Sequence, residues 1–377
     1  MNFRTSYVRD LAGQEISRQS ALNHYISFVY DAAGRQIAIV NEASLRWTTS
    51  YDADSRVVST TNGEGRTVQM GYDAVGNLVT KVYSNGPRFT FAFDSLNRLT
   101  TSTDGAGVTT YAYDPRSMLV EKTYPGNLHQ AYGYDGNGNR ILLVDPDQGR
   151  YTTTFDPLDR TLVAKKPNAL AFTSAYDADS RRVSLAMGNG TIRNYGYDAV
   201  SQLTTQIDVT SAGVQISTMI DSYDPAGFRV GRNKDGFVTT WINDARNRLV
   251  GQHADGAWAT FSYDAVGNTL TKQHQGQFVQ TMTYNAANLQ SNVALGNVKT
   301  TYTFDKAGNQ TIKHLGVGLT TYAYGIENRL VGVTNPDGTL STYTYQGTDG
   351  LRRTVQEPGQ ALTTTVRDGR DALQERN

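Results

Sequence analysis

The sequence contains no cysteine, which excludes disulfide bonds, thiolate metal sites and a cysteine nucleophile. Its 35 basic and 35 acidic residues cancel, so no net charge draws the chain to nucleic acid or to an anionic membrane. Apolar runs stay far below the roughly 18 residues of a membrane-spanning helix, so we expect no membrane insertion. The start of the sequence lacks the apolar segment that a secretory signal requires.

Glycine and tyrosine are abundant instead. The 377 residues include 36 Gly and 23 Tyr, and the mean hydropathy is −0.48. This composition is typical of turn-rich β-structure with aromatic faces and little aliphatic burial.

An aromatic residue followed by an acid recurs along the chain, mostly in steps of 20 or 21 residues. Self-similarity at a fixed period indicates a repeat architecture and outranks any local motif. We therefore predict one array over 1–377, with about 17 units and about 34 strands. The aromatic residue is called the anchor below. The anchors with their following residues are Tyr30-Asp31, Tyr51-Asp52, Tyr72-Asp73, Phe93-Asp94, Tyr113-Asp114, Tyr134-Asp135, Phe155-Asp156, Tyr176-Asp177, Tyr197-Asp198, Tyr223-Asp224, Tyr263-Asp264, Tyr284-Asn285, Phe304-Asp305, Tyr324-Gly325 and Tyr345-Gln346.

The array departs from its own period at 198–245. The step from Tyr197 to Tyr223 is 26 residues, and Ile242 fills the missing anchor position 19 residues later. We expect a longer hairpin around Ser211-Ala212-Gly213-Val214. Such breaks are places where insertions or contacts often lie, and ordinary drift of the repeat is the alternative explanation.

Both ends of the chain carry partial repeats. Asp10 lies one period before Asp31, so a partial unit opens the chain. Asp368 lies 22 residues after Gln346, so another partial unit closes it.

A single unit has the pattern of a β-hairpin. Thr67–Tyr72 and Leu78–Tyr83 are rich in Val, Thr and Tyr and flank the turn residues 73–77. The Asp that follows the anchor can fold its carboxylate over the next backbone N–H groups. Three residues later we expect a positive φ, which Gly and Asn tolerate. The residues at this position include Gly76, Gly138, Gly227, Gly267, Gly308, Ser55, Asn97, Asp159 and Asn288.

A second turn closes each unit, and two turns leave about six residues for each strand. The dipeptides that mark this turn are Asn62-Gly63, Asn85-Gly86, Asp104-Gly105, Pro125-Gly126, Gly188-Asn189, Asp255-Gly256 and Asp337-Gly338.

Many strands carry a second aromatic residue two positions before the anchor, as in Tyr111 with Tyr113. A spacing of two places both rings on one face of the sheet, where successive units would form ladders of rings. No segment with helical periodicity is long enough to cover the sheet. We therefore predict an all-β fold in which one continuous antiparallel ribbon of hairpins spirals into an open shell.

Three stretches carry a family resemblance. Tyr72-Asp73-Ala74-Val75-Gly76-Asn77-Leu78, Phe93-Asp94-Ser95-Leu96-Asn97-Arg98-Leu99 and Tyr263-Asp264-Ala265-Val266-Gly267-Asn268 resemble the YD repeat of the RHS family. That family includes bacterial polymorphic toxins, the C component of Tc insecticidal complexes and animal teneurins. The resemblance covers essentially 8–377, and 366–375 is similar to the stretch before the core-associated region of RHS proteins.

The resemblance implies a structural role. In the family the ribbon spirals into a hollow shell, which in toxins encloses a C-terminal effector. This chain would then be a non-enzymatic shell segment of an exported, secreted or cell-surface protein. Its partners would be a polypeptide cargo or neighbouring shell segments. The core-associated region, which in the family caps the shell and cleaves itself, would have to follow 366–377, so neither self-cleavage nor toxicity is expected of this chain.

The polar residues suggest no catalytic, cofactor or metal site. One Asp per unit fits a turn role better than a glycosidase, which needs a single carboxyl pair with unequal pKa values. Residues 135–139 begin like an EF-hand loop, but Arg140 and Pro146 stand at its glycine and glutamate positions. The five histidines show no metal-ligand spacing.

A carbohydrate-binding surface is the alternative function. Exposed rings stack on sugars, and a cell-surface adhesion protein could use the aromatic ladder for this purpose. Only three Trp are present, however, and none follows Gly as in cell-wall-binding repeats. Packing of ring on ring within the sheet is the simpler interpretation.

Overall fold

The computed structural model describes residues 4–84, 86–325, 327–346, 350–368 and 371–376. These residues form 36 β-strands in one antiparallel sheet, two more strands than seventeen hairpins would give, and they contain no helix. No segment of this described part could therefore cross a membrane as an apolar helix. The first strand pairs with the second and the last with the one before it, so the sheet is open. The prediction of an all-β ribbon of hairpin repeats is confirmed.

The first half of the ribbon runs to the longer hairpin of the irregular zone. Its strands are β1 (Ser6–Arg9), β2 (Glu15–Gln19), β3 (Tyr25–Tyr30), β4 (Gln36–Val40), β5 (Arg46–Tyr51), β6 (Val57–Thr61), β7 (Thr67–Tyr72), β8 (Leu78–Tyr83), β9 (Arg88–Phe93), β10 (Leu99–Asp104), β11 (Gly107–Tyr113), β12 (Leu119–Tyr124), β13 (Leu128–Tyr134), β14 (Arg140–Val144), β15 (Arg150–Phe155), β16 (Thr161–Lys165), β17 (Ala171–Tyr176), β18 (Arg182–Met187), β19 (Thr191–Tyr197) and β20 (Leu203–Thr210).

The second half continues with the same alternation of strands and turns. Its strands are β21 (Gln215–Tyr223), β22 (Arg229–Lys234), β23 (Phe237–Asn243), β24 (Leu249–Ala254), β25 (Ala257–Tyr263), β26 (Thr269–His274), β27 (Gln280–Tyr284), β28 (Gln290–Leu295), β29 (Val298–Phe304), β30 (Gln310–Leu315), β31 (Gly318–Tyr324), β32 (Leu330–Thr334), β33 (Leu340–Tyr345), β34 (Arg352–Gln356), β35 (Thr363–Asp368) and β36 (Asp371–Arg376).

The turn after each anchor, called the anchor turn below, has one recurring geometry, which 72–78 illustrates. The N–H of Gly76 donates to the carbonyl of Asp73, and Gly76 has a φ of 96°. The carboxylate of Asp73 accepts the N–H groups of Val75 at 3.1 Å and Asn77 at 2.8 Å. A β-bulge lies at Tyr72, just before the turn, and the anchor pairs with Leu78, the first residue of the next strand. This is a type I turn with a left-handed residue, the usual three-residue hairpin loop.

The second turns are of two kinds. Some repeat the geometry of the anchor turn, as at Asn62, whose N–H donates to the carbonyl of Arg66, with Gly65 at a φ of 78°. Others are two-residue loops such as Asp255-Gly256, where both φ values are positive and Ala254 pairs with Ala257. The predicted turn residue Asn85 lies outside the described residues, as do Gly369 and Arg370 in the terminal stretch.

The irregular zone has the longer hairpin that the sequence predicted. Strands β20 and β21 are 8 and 9 residues long and are joined by a turn between Thr210 and Val214. The prediction that Ile242 is the missing anchor is wrong. Asn243 pairs with Leu249 as anchors do, and Asp244 opens the turn. Asn243 stands where other units have an aromatic anchor. The register was therefore misassigned to Ile242, because an apolar residue was expected at the anchor.

Residue contacts divide the chain into two compact units. Unit 1 contains 1–108, 262–272 and 278–377, and unit 2 contains 109–261 and 273–277. In unit 1, Val68, Tyr83 and Phe89 form a small core cluster, with the two rings packed edge to face at 5.6 Å. Few other side chains are buried, which is expected of a ribbon one sheet thick. That the chain is one functional array stays a prediction.

Candidate functional site

Eight anchor tyrosines join their hairpin to the preceding one. The hydroxyl of Tyr72 donates to the carbonyl of Val57, 15 residues earlier, at 2.8 Å. The only signal of this bond in the sequence is the excess of Tyr over Phe at the anchor position. The same bond, always to the residue 15 positions earlier, is made by Tyr30, Tyr51, Tyr134, Tyr176, Tyr197, Tyr284 and Tyr345.

We expect Tyr72→Phe to destabilise the contact between its hairpin and the preceding one by about 1 kcal/mol, because the carbonyl of Val57 loses a partly buried donor. Hydrogen exchange at the N–H groups of the flanking strands should rise by several-fold. The chain supplies its own reference, since Phe93 already occupies an anchor position without a hydroxyl. Unchanged exchange around residue 57 would show that water replaces the hydroxyl at no cost.

A second joint runs along the anchor turns. The guanidinium of Arg35 donates to the carboxylate of Asp31 at 2.8 Å and to the hydroxyl of Ser55, in the next anchor turn, at 3.1 Å. It also lies over the ring of the next anchor, Tyr51, at 4.8 Å. Each such Arg thus fixes its own turn and the position of the following hairpin. Arg160 and Arg181 make the same set of contacts.

Asparagine performs the same task where Arg is absent. The side-chain amide of Asn77 donates to Asp73 at 2.9 Å and to the side chain of Asn97 in the next turn at 3.0 Å. Equivalent bonds are donated by Asn139, Asn268 and Asn309. These joints were missed from sequence, although an Arg or Asn four residues after the Asp repeats visibly along the chain.

The Asp of the anchor turn is an acceptor for the backbone, so we expect Asp73→Asn to be tolerated and Asp73→Ala to loosen the turn. Asn285 already occupies the equivalent position and accepts two backbone N–H groups at 2.9 and 3.0 Å. For the Ala variant, the N–H groups of Val75 and Asn77 should exchange about tenfold faster. Equal effects of Asn and Ala would assign the role to charge instead.

In unit 2 the irregular zone replaces rings by ion pairs. Asp221 stands two residues before its anchor, where other units have an aromatic, and it is almost completely buried. Arg232 donates two bonds of 2.7 Å to its carboxylate, and Arg229 lies at 3.4 Å. The hydrogen bonds from Arg232 lower the pKa of Asp221. Arg193 holds Asp208 in the same bidentate way at 2.7 and 2.8 Å.

Unit 1 contains contacts between hairpins far apart in sequence, which form what we call the seam. Glu64 accepts the N–H of Lys306 at 2.5 Å, 242 residues later. Arg66 donates to the carbonyl of Tyr324 at 3.2 Å, 258 residues later. The seam contacts follow one rule. On one side lies an early second turn or the end of the adjacent strand, and on the other side lies a late anchor turn or its adjacent strand. The separations of 242 to 258 residues are close to twelve repeats.

Glu327 is a half-buried charged group of the seam. Its carboxylate accepts hydrogen bonds from Lys81 and from the hydroxyl of Tyr83, and Arg329 lies 2.5 Å away. Burial works to raise the pKa of Glu327, but the bonds from Lys81 and Tyr83 and the neighbouring positive charges outweigh burial and lower it. Burial and the bond to Glu327 raise the pKa of the Tyr83 hydroxyl well above its usual range.

A second ion pair closes the seam beside this group. The guanidinium of Arg353 donates to both oxygens of Asp104, at 2.8 and 2.9 Å, and both side chains are largely buried. Between the two ion pairs lies a cavity of about 430 Å³, lined by rings that include Tyr83, Phe89 and Tyr343. The seam therefore combines bidentate ion pairing with aromatic packing, and both favour one register of the two edges.

The recurring Asp residues are distributed along the anchor turns, and the structure brings no two of them into a catalytic pair in the contacts described. Within the described ranges, no group of three His, Asp or Glu side chains could hold a metal ion. The role of the anchors and their Asp residues as the defining positions of the repeat stays a prediction. The seam residues were not foreseen, because their contacts join hairpins that are more than 240 residues apart. They are Lys81, Tyr83, Glu327 and Arg353.

Comparison with known families gives two matches. Residues 30–67, 72–109 and 93–129 match the RHS Repeat family, and residues 255–375 match the Teneurin YD-shell family. Among curated proteins, no sequence matches the chain.

Solved structures of Tc toxins share the fold. The Photorhabdus luminescens Tc holotoxin pore aligns with a TM-score of 0.81 and 15% identity, over 96% of this chain and 22% of that one. TcdB2-TccC3 without its hypervariable C-terminal region gives 0.63 and 14%, over 96% and 26%. TcdB2-TccC3-TEV gives 0.59 and 14%, over 97% and 28%. This chain spans about a quarter of the length of those chains, and at such identities the similarity shows a shared fold.

Proposed function

The chain belongs to the YD/RHS repeat family, and from this membership we propose that it is a wall segment of a hollow shell that holds or shields another polypeptide. In this proposal the chain is not an enzyme. The recurring Asp residues support this role, because their carboxylates are occupied as acceptors of turn N–H groups. The partner is a polypeptide cargo, together with neighbouring shell segments.

The seam is the observation that carries the proposal. A ribbon that only presented a binding face would not need contacts between hairpins that are far apart in sequence. In unit 1 the early second turns are instead fastened to late anchor turns by hydrogen bonds and two ion pairs. These contacts fasten successive passes of the ribbon edge to edge, which is what a wall requires.

The carbohydrate-binding alternative gains no support from the rings. Anchor hydroxyls donate to backbone carbonyls, as in Tyr51, whose ring is also covered by Arg35. A ring that is covered on one face has only its other face available for stacking on a sugar. In the part of the chain that the structure describes, no contact favours a glycan over a polypeptide partner.

Limited proteolysis of a tethered tracer tests the proposal. An unstructured tracer peptide is appended after residue 377, and its cleavage is compared with that of the same tracer on an unrelated globular carrier. We expect cleavage at least tenfold slower on this chain. Equal rates on both carriers would contradict shielding. A glycan array run on the same protein should show no specific binding, and a specific glycan hit with unprotected tracer would favour the alternative.

A further inference from the structure

We propose that the cavity in the seam of unit 1 is a binding site for a small aromatic anion. The ligand places a flat apolar ring system between the aromatic side chains of the cavity and its acidic group beside the basic side chains around them. The inference concerns a ligand of the seam, and it does not depend on whether the shell holds a polypeptide.

The cavity has the size and the lining of a small-molecule site. Its volume of about 430 Å³ lies within the roughly 300–1,000 Å³ that such sites occupy. The rings that line it are those of Tyr83, Phe89, Tyr343 and Tyr345. Tyr83 and Phe89 are buried and pack edge to face at 5.6 Å, so this wall is in place before a ligand arrives. Aromatic walls of this kind favour a flat apolar guest.

The entrance of the cavity lies at the turn between β10 and β11. Gly105 and Ala106 form this turn, and both are exposed and line the cavity. Apart from its chain neighbours, no heavy atom lies within 4 Å of the point where a Cβ on Gly105 would stand. A small molecule can therefore enter from solvent without a change of fold.

The charged groups around the cavity carry a surplus of positive charge. Among the described residues, the carboxylates that line it are Glu327 and Asp104. Lys81 and Arg329 contact Glu327, and Arg353 donates to both oxygens of Asp104. Three basic groups thus face two carboxylates in this cluster, and the remaining positive charge is complementary to an anion.

A cationic guest is disfavoured here, although aromatic walls often bind cations. Three of the rings already have a basic group within the about 6 Å of a cation–π contact. A further cation would compete with these groups and be repelled by them, whereas an anion is attracted. The contacts are Lys81 over Tyr83 at 5.2 Å, Arg329 over Tyr345 at 5.5 Å and Arg352 over Tyr343 at 5.9 Å.

Calorimetric titration with three naphthalene compounds tests the proposal. Naphthalenesulfonate is an anion, naphthol is neutral and naphthylmethyl-trimethylammonium is a cation, and all three carry their substituent at the same ring position. We expect one saturable site for the sulfonate, with an affinity about tenfold higher than that for the cation. The proposal is overturned if the sulfonate shows no saturable binding or if the cation binds as tightly.

A bulky residue at the entrance locates the site. Ala106→Trp changes an exposed residue, so the variant should fold, which far-UV circular dichroism checks. Its indole should obstruct the entrance and weaken binding of the sulfonate about tenfold. Ala226→Trp, which changes an exposed alanine in an anchor turn of unit 2, is the matched control and should bind like the parent protein. Parental affinity in Ala106→Trp would show that the ligand binds elsewhere.

Loss of one basic group tests the recognition of charge. Arg352→Gln should weaken binding of the sulfonate about twofold to fivefold and leave binding of naphthol unchanged. Arg182→Gln is the control, because Arg182 pairs with the anchor Tyr176 in unit 2 as Arg352 pairs with the anchor Tyr345. It should change neither affinity. Equal weakening of both compounds by Arg352→Gln, or an unchanged sulfonate affinity, would contradict an anion site.

Discussion

Glu327→Ala is expected to open the seam of unit 1. The substitution removes the acceptor that Lys81 and the hydroxyl of Tyr83 share and leaves both donors partly buried without it. Breaking one side of a largely buried ionic group costs about 2–4 kcal/mol. Because a repeat array need not unfold as a single step, the loss should be local.

Hydrogen exchange resolves this local effect. Amide N–H groups of β8 and of 327–334 should exchange about 30- to 1000-fold faster, whereas exchange in unit 2 should not change. This range of rates corresponds to a loss of about 2–4 kcal/mol. Glu121→Ala is the control, because that exposed carboxylate contacts only side chains of its own hairpin and its neighbour. Glu327→Gln keeps an acceptor for Tyr83 and should have a smaller effect. Equal protection in all three variants would show that the seam does not depend on this group.

Acid is expected to unfold the array as a whole. The N–H of Arg35 donates to Asp31 and lowers the pKa of that carboxyl, and the side chain of Asn77 does the same for Asp73. The pKa values of Asp94, Asp114, Asp156 and Asp244 are lowered too, and those of Asp52, Asp135 and Asp177 are lowered although desolvation opposes the change.

The sign of the pH effect follows from these directions. A carboxyl with a lower pKa in the folded chain contributes stability that is complete above its unfolded pKa of about 3.9. That contribution is lost as the pH falls through the folded pKa. Because at least nine anchor turns titrate in the same direction, and Glu327 with them, the loss should be steep. We expect the β-sheet signal in circular dichroism to be constant from about pH 5 to 8 and to disappear between about pH 4 and 2.

Asparagine at the same turns provides the control. Asp73→Asn, Asp94→Asn and Asp114→Asn in one chain remove three titrating groups, and Asn285 shows that the amide supports this turn. The acid transition should then move to lower pH and become less steep. A transition that is unchanged, or a sheet that persists at pH 2, would show that these carboxylates do not govern acid stability.

Local chemistry explains which parts of the fold could be predicted from the sequence. The turn at Asp73 and Gly76 depends on residue types and spacing within five positions, so one unit was enough to infer it. The anchor at Asn243 was misplaced by one residue, because the inference relied on an apolar anchor and not on the following Asp244. The hydroxyl bond from Tyr72 to Val57 crosses between hairpins and was missed, because it needs the register of neighbouring strands.

The seam could not be predicted for a different reason. Lys81 and Glu327 lie 246 residues apart, and no local spacing relates them. Their meeting depends on how far the ribbon turns with each hairpin, and small twists accumulate over about twelve units. The sequence marks that part of the chain only by Gly325 and Gln346, which replace the Asp after Tyr324 and Tyr345.

Zero-length crosslinking tests the central claim that the ribbon returns to its own early hairpins. A carbodiimide joins an amine to a carboxylate only when the two are in contact, and Lys81 and Glu327 are both native residues. Peptide mass spectrometry of the monomer fraction should reveal a Lys81–Glu327 link. A monomer in which Lys81 is linked to other carboxylates, but never to Glu327, would show that no seam forms and would contradict the account of the chain as a wall.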